Sequence, residues 1–333
     1  MRALVITEHG PPEVLRVQTR PDPEPAPGQV RVRVRAAGVN FADLLARVGL
    51  YPEAPKPPCV VGYEFAGELE TATGELRAGQ RVMGGCRFGA YAERVVADPA
   101  NLIALPEGWS FAEGAALPVA YLTAYAGLVR YGALRAGERV LIQAAAGGVG
   151  IAATQIAKLA GAEVYGTASP AKHDAIASFG VDHPVGYDFV PAIRRIAAER
   201  HPLDLVLDAL GGASFRKSFS LLRPGGRLVC FGASEVQAGE RRSPLRAVRV
   251  LARIPRFNAI RLMRESKSVI GLNMLALWDA RQSLDEYIQP LSDWIAQERI
   301  RPVVAKDFPL EEGPEAHRYI HERRNVGKVV LTL

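Results

Sequence analysis

Val140-Leu141-Ile142-Gln143-Ala144-Ala145-Ala146-Gly147-Gly148-Val149-Gly150 runs directly into Ile151-Ala152-Ala153-Thr154-Gln155-Ile156-Ala157. A short apolar strand thus enters a glycine-rich turn that opens a helix, the setting in which backbone N–H groups at a helix N-terminus hold a pyrophosphate. Gly147 would let the backbone approach the phosphates and Gly150 would let the helix pack on the strand. Gly148 and Val149 complete the turn, and Ala145 stands where the pattern's first glycine would be. Glycines alone are equally the mark of a tight turn with no ligand. The strand before them and the helix after them are what favour a nucleotide.

Outward from this turn, toward the C-terminus, strands and helices alternate. Residues 139–143, Glu163–Thr167, 203–209 and 227–232 read as strands, and residues 148–160 and 171–179 as helices. Such alternation implies a parallel sheet with right-handed crossovers. Toward the N-terminus the pattern differs. Gln29-Val30-Arg31-Val32-Arg33-Val34-Arg35 alternates strictly, with valines on one face and arginines on the other, as a half-buried antiparallel strand would. Runs at 14–19, 60–70, 81–83 and 91–96, punctuated by glycine, extend this into a small barrel-like β domain. Between the two regions, residues 111–131 are alanine-rich and apolar at helical spacing. Two amphipathic helices near 284–298 and 311–321 and a last strand at 328–333 close the chain.

A chain of 333 residues, 48% hydrophobic and 23% charged, is expected to be a soluble globular protein of two domains. No apolar run approaches the roughly 18 residues of a membrane span, and the N-terminus reads as a strand rather than a leader, so a cytoplasmic location is expected. The formal charge of +6 is modest for this length and calls for no nucleic-acid partner. Cys59, Cys86 and Cys230 are too few and too scattered for a disulfide framework or a metal knuckle, and read as small buried residues.

The turn Ala145 to Gly150, together with Gly38-Val39-Asn40-Phe41-Ala42-Asp43 and Gly62-Tyr63-Glu64-Phe65-Ala66-Gly67, resembles the NADPH:quinone reductase branch of the medium-chain dehydrogenase/reductase superfamily. Within that branch, Asn40 to Arg47, Gly166 to His173 and Asn325 to Val329 are similar to the vesicle amine transport protein homologues. The resemblance implies an α/β protein. A GroES-like, β-rich catalytic domain would comprise residues 1–120 and 266–333, and a Rossmann domain with a doubly wound parallel sheet would comprise residues 121–265. The active site would lie in the cleft between them.

Zinc-dependent relatives carry a cysteine where Asn40 stands and a histidine where Tyr63 stands, so the resemblance implies no metal here. Glu64 would then be a structural acceptor. His317 and His321 lie four apart on a helix expected to face solvent, and no third ligand accompanies them. Without a Lewis acid, conjugated acceptors suit such a site, because charge from hydride transfer is delocalised onto an oxygen that hydrogen bonds can stabilise. The resemblance implies that Asn40 and Tyr51 orient or polarise the acceptor and that Thr123 lies near the nicotinamide. The competing roles are a helix cap for Asn40 and a half-buried aromatic for Tyr51. Leu45 replaces a tyrosine found in some relatives.

Two functions follow. One is an NADPH-dependent reductase of quinones, enones or enals. The other is a nucleotide-binding, membrane-associated or lipid-handling protein. The second draws on residues 241–264, where Arg242, Arg246, Arg249, Arg253 and Arg256 alternate with Leu245, Val248, Leu251, Ile254 and Phe257 as in a basic amphipathic helix. A helix covering the cofactor cleft or lining a dimer interface accounts for the same pattern. A homodimer is also expected from residues 268–272, an apolar strand at the sheet's edge that a symmetry mate or its own basic segment would cover.

NADPH rather than NADH is expected because no acid ends the strand Glu163–Thr167, where NAD-selective domains bind the ribose 2′-hydroxyl. Ser169 and Lys172 stand there instead, suited to a 2′-phosphate. The resemblance adds Tyr187 and Arg323 to that phosphate's surroundings.

Overall fold

The computed structural model describes residues 1–74, 76–236, 244–281 and 284–333. The chain forms two compact units, one from residues 1–122 and 274–333, the other from residues 123–236 and 244–273.

In the first unit the alternation of residues 29–35 becomes the strand Val30–Val39, with Val30, Val32 and Val34 buried and the arginines turned outward. It pairs with Lys328–Thr332, Glu64–Leu69 and Arg94–Ala97, and the sheet continues through Arg81–Gly85 to Leu102–Ala104 and, at the other edge, Val304–Pro309. A smaller sheet joins Arg2–Ile6 to Leu15–Thr19 and Cys59–Val60. The run expected over 60–70 is therefore divided between two sheets. Gly62 makes the corner at φ +93°, a conformation that β-branched neighbours would not adopt.

The second unit is a six-stranded parallel sheet in the order His183–Val185, Glu163–Thr167, Arg139–Ile142, Leu203–Asp208, Leu222–Cys230, Ser268–Gly271. Numbered along the chain this is 3-2-1-4-5-6, the doubly wound order whose switch point lies between Arg139–Ile142 and Leu203–Asp208. Ser268–Gly271 pairs with Leu222–Cys230, so this unit extends to residue 273 rather than ending at 265.

Four expectations are corrected. Residues 111–131 are not one helix. Phe111–Ala116, started by reciprocal hydrogen bonds between Ser110 and Glu113, ends at Leu117, because Pro118 has no N–H to continue it and opens the next helix, Pro118–Tyr125. Residues 241–264 are not one helix either: Pro244–Ala252 and Ala259–Glu265 are separate. Arg241 and Arg242 lie outside the described residues. Leu245, Val248 and Leu251 are exposed while Ile254 and Phe257 pack on the sheet's core, so the apolar residues of this stretch do not share one face. Cys59 and Cys230 are half-buried, and only Cys86 is buried.

The fourth correction concerns Gly313–His321, which does not turn its histidines to solvent. His317 is fully buried, its ring edge-on to Tyr91 at 6.4 Å, and neither ring nitrogen has a hydrogen-bond partner. His321 Nε2 lies 2.8 Å from the guanidinium of the buried Arg47. Burial and Arg47 push both imidazoles down, His321 to about 4. No described helix is long and apolar enough to cross a membrane.

The histidines give stability a defined pH dependence. Their folded pKa values lie below the ordinary 6.5, so the unfolded chain binds protons that the folded chain refuses, and stability is lost as pH falls from 6.5 toward about 4. His317→Phe keeps a ring in the same space and removes one of these groups. Melting temperatures between pH 7 and 4 are expected to fall less steeply for the variant, and parallel curves would contradict the linkage.

Candidate active site

In the β-rich unit the antiparallel register that sets Val329 opposite Val39 brings Lys328 beside Asn40. Both are buried, as is Glu64. Lys328 Nζ lies 2.5 Å from Asn40 Oδ1 and 2.5 Å from Glu64 Oε1, and Asn40 Nδ2 donates to Glu64 Oε1 at 2.8 Å. The other Glu64 oxygen accepts from the Val119 N–H at 2.7 Å. An ammonium on one side and a carboxylate on the other decide which end of the Asn40 amide faces which. Gly38 makes room for this triangle: a Cβ there would sit 2.5 Å from Glu64 Oε1.

Asn40 opens the helix Phe41–Arg47. Its backbone N–H donates to Asp43 Oδ2 at 2.8 Å, while its amide turns to Glu64 and Lys328. Asp43 also accepts from the Tyr91 hydroxyl at 2.8 Å and the Gly62 N–H at 3.1 Å. Burial nevertheless pushes its carboxyl up to about 7, and pushes the Tyr91 hydroxyl well above its ordinary value. Beyond Gly62 stand the aromatics. Tyr63 packs on Phe88, with ring centres 5.2 Å apart, and edge-on to Tyr51 at 6.4 Å. Tyr51 is half-buried, which pushes its hydroxyl up to about 12. Leu45 is half-buried on the same helix as Asp43.

In the parallel-sheet unit the glycine turn follows Ile142 at the switch point. Ala144 takes φ +55°, and Ala145 is buried with its methyl group where Gly166 has no side chain. A Cβ on Gly166 would approach that methyl to 2.9 Å, so the glycine on the neighbouring strand makes up for the alanine in the turn. Gly150 meets the turn itself, where a Cβ would lie 2.4 Å from Ala144 O. Gly147 is different: its Cβ would meet only Ala144 O, at 3.5 Å. No side chain caps the helix Gly148–Leu159, so the first-turn N–H groups of Gly148, Val149 and Gly150 have no side-chain acceptor.

The parallel register carries three loops to this edge of the sheet, after Ile142, Thr167 and Val185. Ser169 and Lys172, half-buried, bound a short 3-10 turn there, and Tyr187 is exposed. Thr123 is buried in the helix Pro118–Tyr125. Arg323 belongs to the other unit, exposed just past Gly313–His321 at φ +55°.

A further set of residues was not anticipated. The Ala144 N–H donates to Thr167 Oγ1 at 3.0 Å, Thr167 to Gln143 Oε1 at 2.7 Å, Gln143 Nε2 to Ser218 at 3.3 Å, and Ser218 to Asp208 at 2.7 Å. Ser214 and the Leu210 N–H also donate to Asp208, at 2.7 and 2.8 Å, and burial raises its carboxyl. The aspartate that ends the strand Leu203–Asp208 was the only signal of this hydrogen-bond chain in the sequence. Lys328, opening the last strand, was the corresponding signal in the β-rich unit.

A profile of the alcohol dehydrogenase GroES-like domain matches residues 26–107, and one of the zinc-binding dehydrogenases matches residues 179–331. The chain is 38% identical over 339 residues to the synaptic vesicle membrane protein VAT-1 homolog of Danio rerio, covering 99% of this chain and 70% of that protein. The quinone oxidoreductase of Thermus thermophilus, whose structure was also solved in complex with NADPH, is 35% identical with a TM-score of 0.82 over 100% of both chains. The CurK enoyl reductase is 28% identical with a TM-score of 0.86, over 99% of this chain and 98% of that one. The chain belongs to the medium-chain dehydrogenase/reductase superfamily, oxidoreductases that bind a nicotinamide cofactor.

Proposed function

We propose that the chain is a zinc-independent, NADPH-dependent reductase of quinones or other α,β-unsaturated carbonyl compounds. The observation that carries this reading is the buried triangle of Asn40, Glu64 and Lys328. Where zinc-dependent relatives place a cysteine and a histidine, this chain has Asn40 and Tyr63, and the Lys328 ammonium already stands 2.5 Å from Glu64. A zinc ion would set a second cation against that one carboxylate, with an amide and a phenol in place of its preferred thiolate and imidazole. These donors do not fit zinc, and no step is routed through it.

The residues at the other site fit a dinucleotide. The open space beside Gly147 and the first-turn N–H groups without a side-chain acceptor would take the pyrophosphate, while Ser169, Lys172 and Tyr187 would surround a 2′-phosphate. NADPH would supply the hydride. The chain's own part is to hold the acceptor, orient it with Asn40 and Tyr51, and stabilise the charge that develops on its oxygen. The likenesses to a quinone oxidoreductase and an enoyl reductase support this acceptor class.

We also propose a homodimer. Ser268–Gly271 ends the sheet with pairing on one side, and Ile260 and Met263 are exposed on the helix just before it, a self-complementary edge for a two-fold axis.

A panel of quinones, enones and enals is expected to oxidise NADPH in the presence of the protein, with no loss after treatment with a zinc chelator. Silence across the whole panel would favour a nucleotide-binding module. Lys172→Ala is expected to weaken NADPH binding by about 1–3 kcal/mol and to leave NADH nearly unchanged. Equal losses for the two cofactors in a titration would remove Lys172 from the phosphate site. Light scattering at micromolar concentration is expected to give twice the 35.9 kDa chain mass, and a monomer would refute the dimer.

A further inference from the structure

Tyr63 carries a polar atom that its surroundings do not use. The side chain is only 7% exposed, and its hydroxyl is covered and has no hydrogen-bond partner. A buried hydroxyl of this kind costs free energy that a phenylalanine of the same shape would not. The packing does not ask for it either, since the neighbouring ring at 5.2 Å is Phe88, which has no hydroxyl. Natural chains keep such costs mainly where a ligand recovers them.

The nearby polar side chains are already committed. The Asn40 amide is held on one side by Lys328 and on the other by Glu64, leaving one N–H, and the Tyr91 hydroxyl is given to Asp43. The Tyr63 ring stands edge-on to Tyr51, and Asp43 is among the charges that act on its hydroxyl. Trp278 adds a further aromatic edge, reaching Gly85 close to the Tyr63 carbonyl.

We propose that the Tyr63 hydroxyl is the hydrogen-bond donor to the acceptor's carbonyl oxygen, with the acceptor a planar conjugated carbonyl whose ring packs against Tyr51 and Phe88. The proposal rests on the reductase reading and names the group that does its electrostatic work. In the reaction NADPH would supply the hydride, which would form a new C–H bond at the conjugated carbon or reduce the quinone. The electron pair displaced from the π system moves to the carbonyl oxygen, Tyr63 stabilises that charge, and a proton from water completes the reduced acceptor and leaves NADP⁺. Burial pushes the Tyr63 hydroxyl far up, so it donates without ionising.

The test compares Tyr63→Phe with the unaltered protein, using 1,4-naphthoquinone. Three results are expected. The variant melts no lower than the parent, because only an unsatisfied hydroxyl has been removed. Its kcat with NADPH falls about 100-fold, the scale of one lost oxyanion donor, with NADPH affinity unchanged. The infrared C=O stretch of naphthoquinone bound without cofactor is shifted down by the parent protein and not by the variant. An unshifted band in the parent, or equal bands and equal kcat in the two proteins, overturns the proposal. The band is read without turnover, so the two readings separate: a shift lost in Tyr63→Phe with no NADPH oxidation by the parent upholds the donor and rejects the reductase.

Discussion

Glu64 has no exposed surface, and the Lys328 ammonium 2.5 Å away is its counter-charge. Much of the β-rich unit depends on that pairing. It ties the strand Lys328–Thr332 to segments nearly three hundred residues earlier, engages the start of the helix Pro118–Tyr125 through Val119, and fixes the amide of Asn40. A buried pair of this kind adds little over well-packed apolar side chains, yet removing one partner costs about 3–5 kcal/mol because the other charge is left uncompensated. Glu64 and Lys328 are therefore constrained together. Gly38 is constrained with them, since no side chain fits against the carboxylate.

The parallel-sheet unit has its own constraint in the hydrogen bonds from Ala144 through Thr167, Gln143 and Ser218 to Asp208. They join the carboxyl ends of the strands ending at Ile142, Thr167 and Asp208, which flank the switch point. A left-handed alanine in the turn is a conformation of appreciable cost, and the Thr167 hydroxyl accepting its N–H helps to hold it. The turn is thus supported by buried side chains. Such support suits the pyrophosphate site proposed for its helix N-terminus.

Misreadings of the sequence share a cause. Periodicity reports which residues are apolar, not what stands opposite them. Residues 111–131 keep helical spacing across Pro118, where the backbone hydrogen bonds cannot continue. The spacing of His317 and His321 was equally consistent with a wet or a dry face, and the choice was made by Arg47 and Tyr91, which come from other parts of the chain. Arginines and aliphatic residues alternate through residues 244–264, yet Phe257 turns inward onto Phe219 while Val248 stays outside.

The sequence by itself determined the two-part organisation, the β-alternating face of Val30–Val39, the parallel βα pattern and the glycine turn, because each rests on local steric rules read from a few adjacent residues. The resemblance to zinc-dependent relatives further implied an amide and a phenol, Asn40 and Tyr63, in place of cysteine and histidine. Tertiary structure alone decided what those replacements face. The ammonium of Lys328 arrives beside Asn40 only through strand register, the methyl of Ala145 is accommodated only because Gly166 lies on the adjacent strand, and the Tyr63 hydroxyl is left without a partner only by how Tyr51 and Phe88 pack around it. Hydrogen bonds and buried charges act over about 3 Å, so residues far apart in the chain acquire their chemistry only once the fold has brought them together.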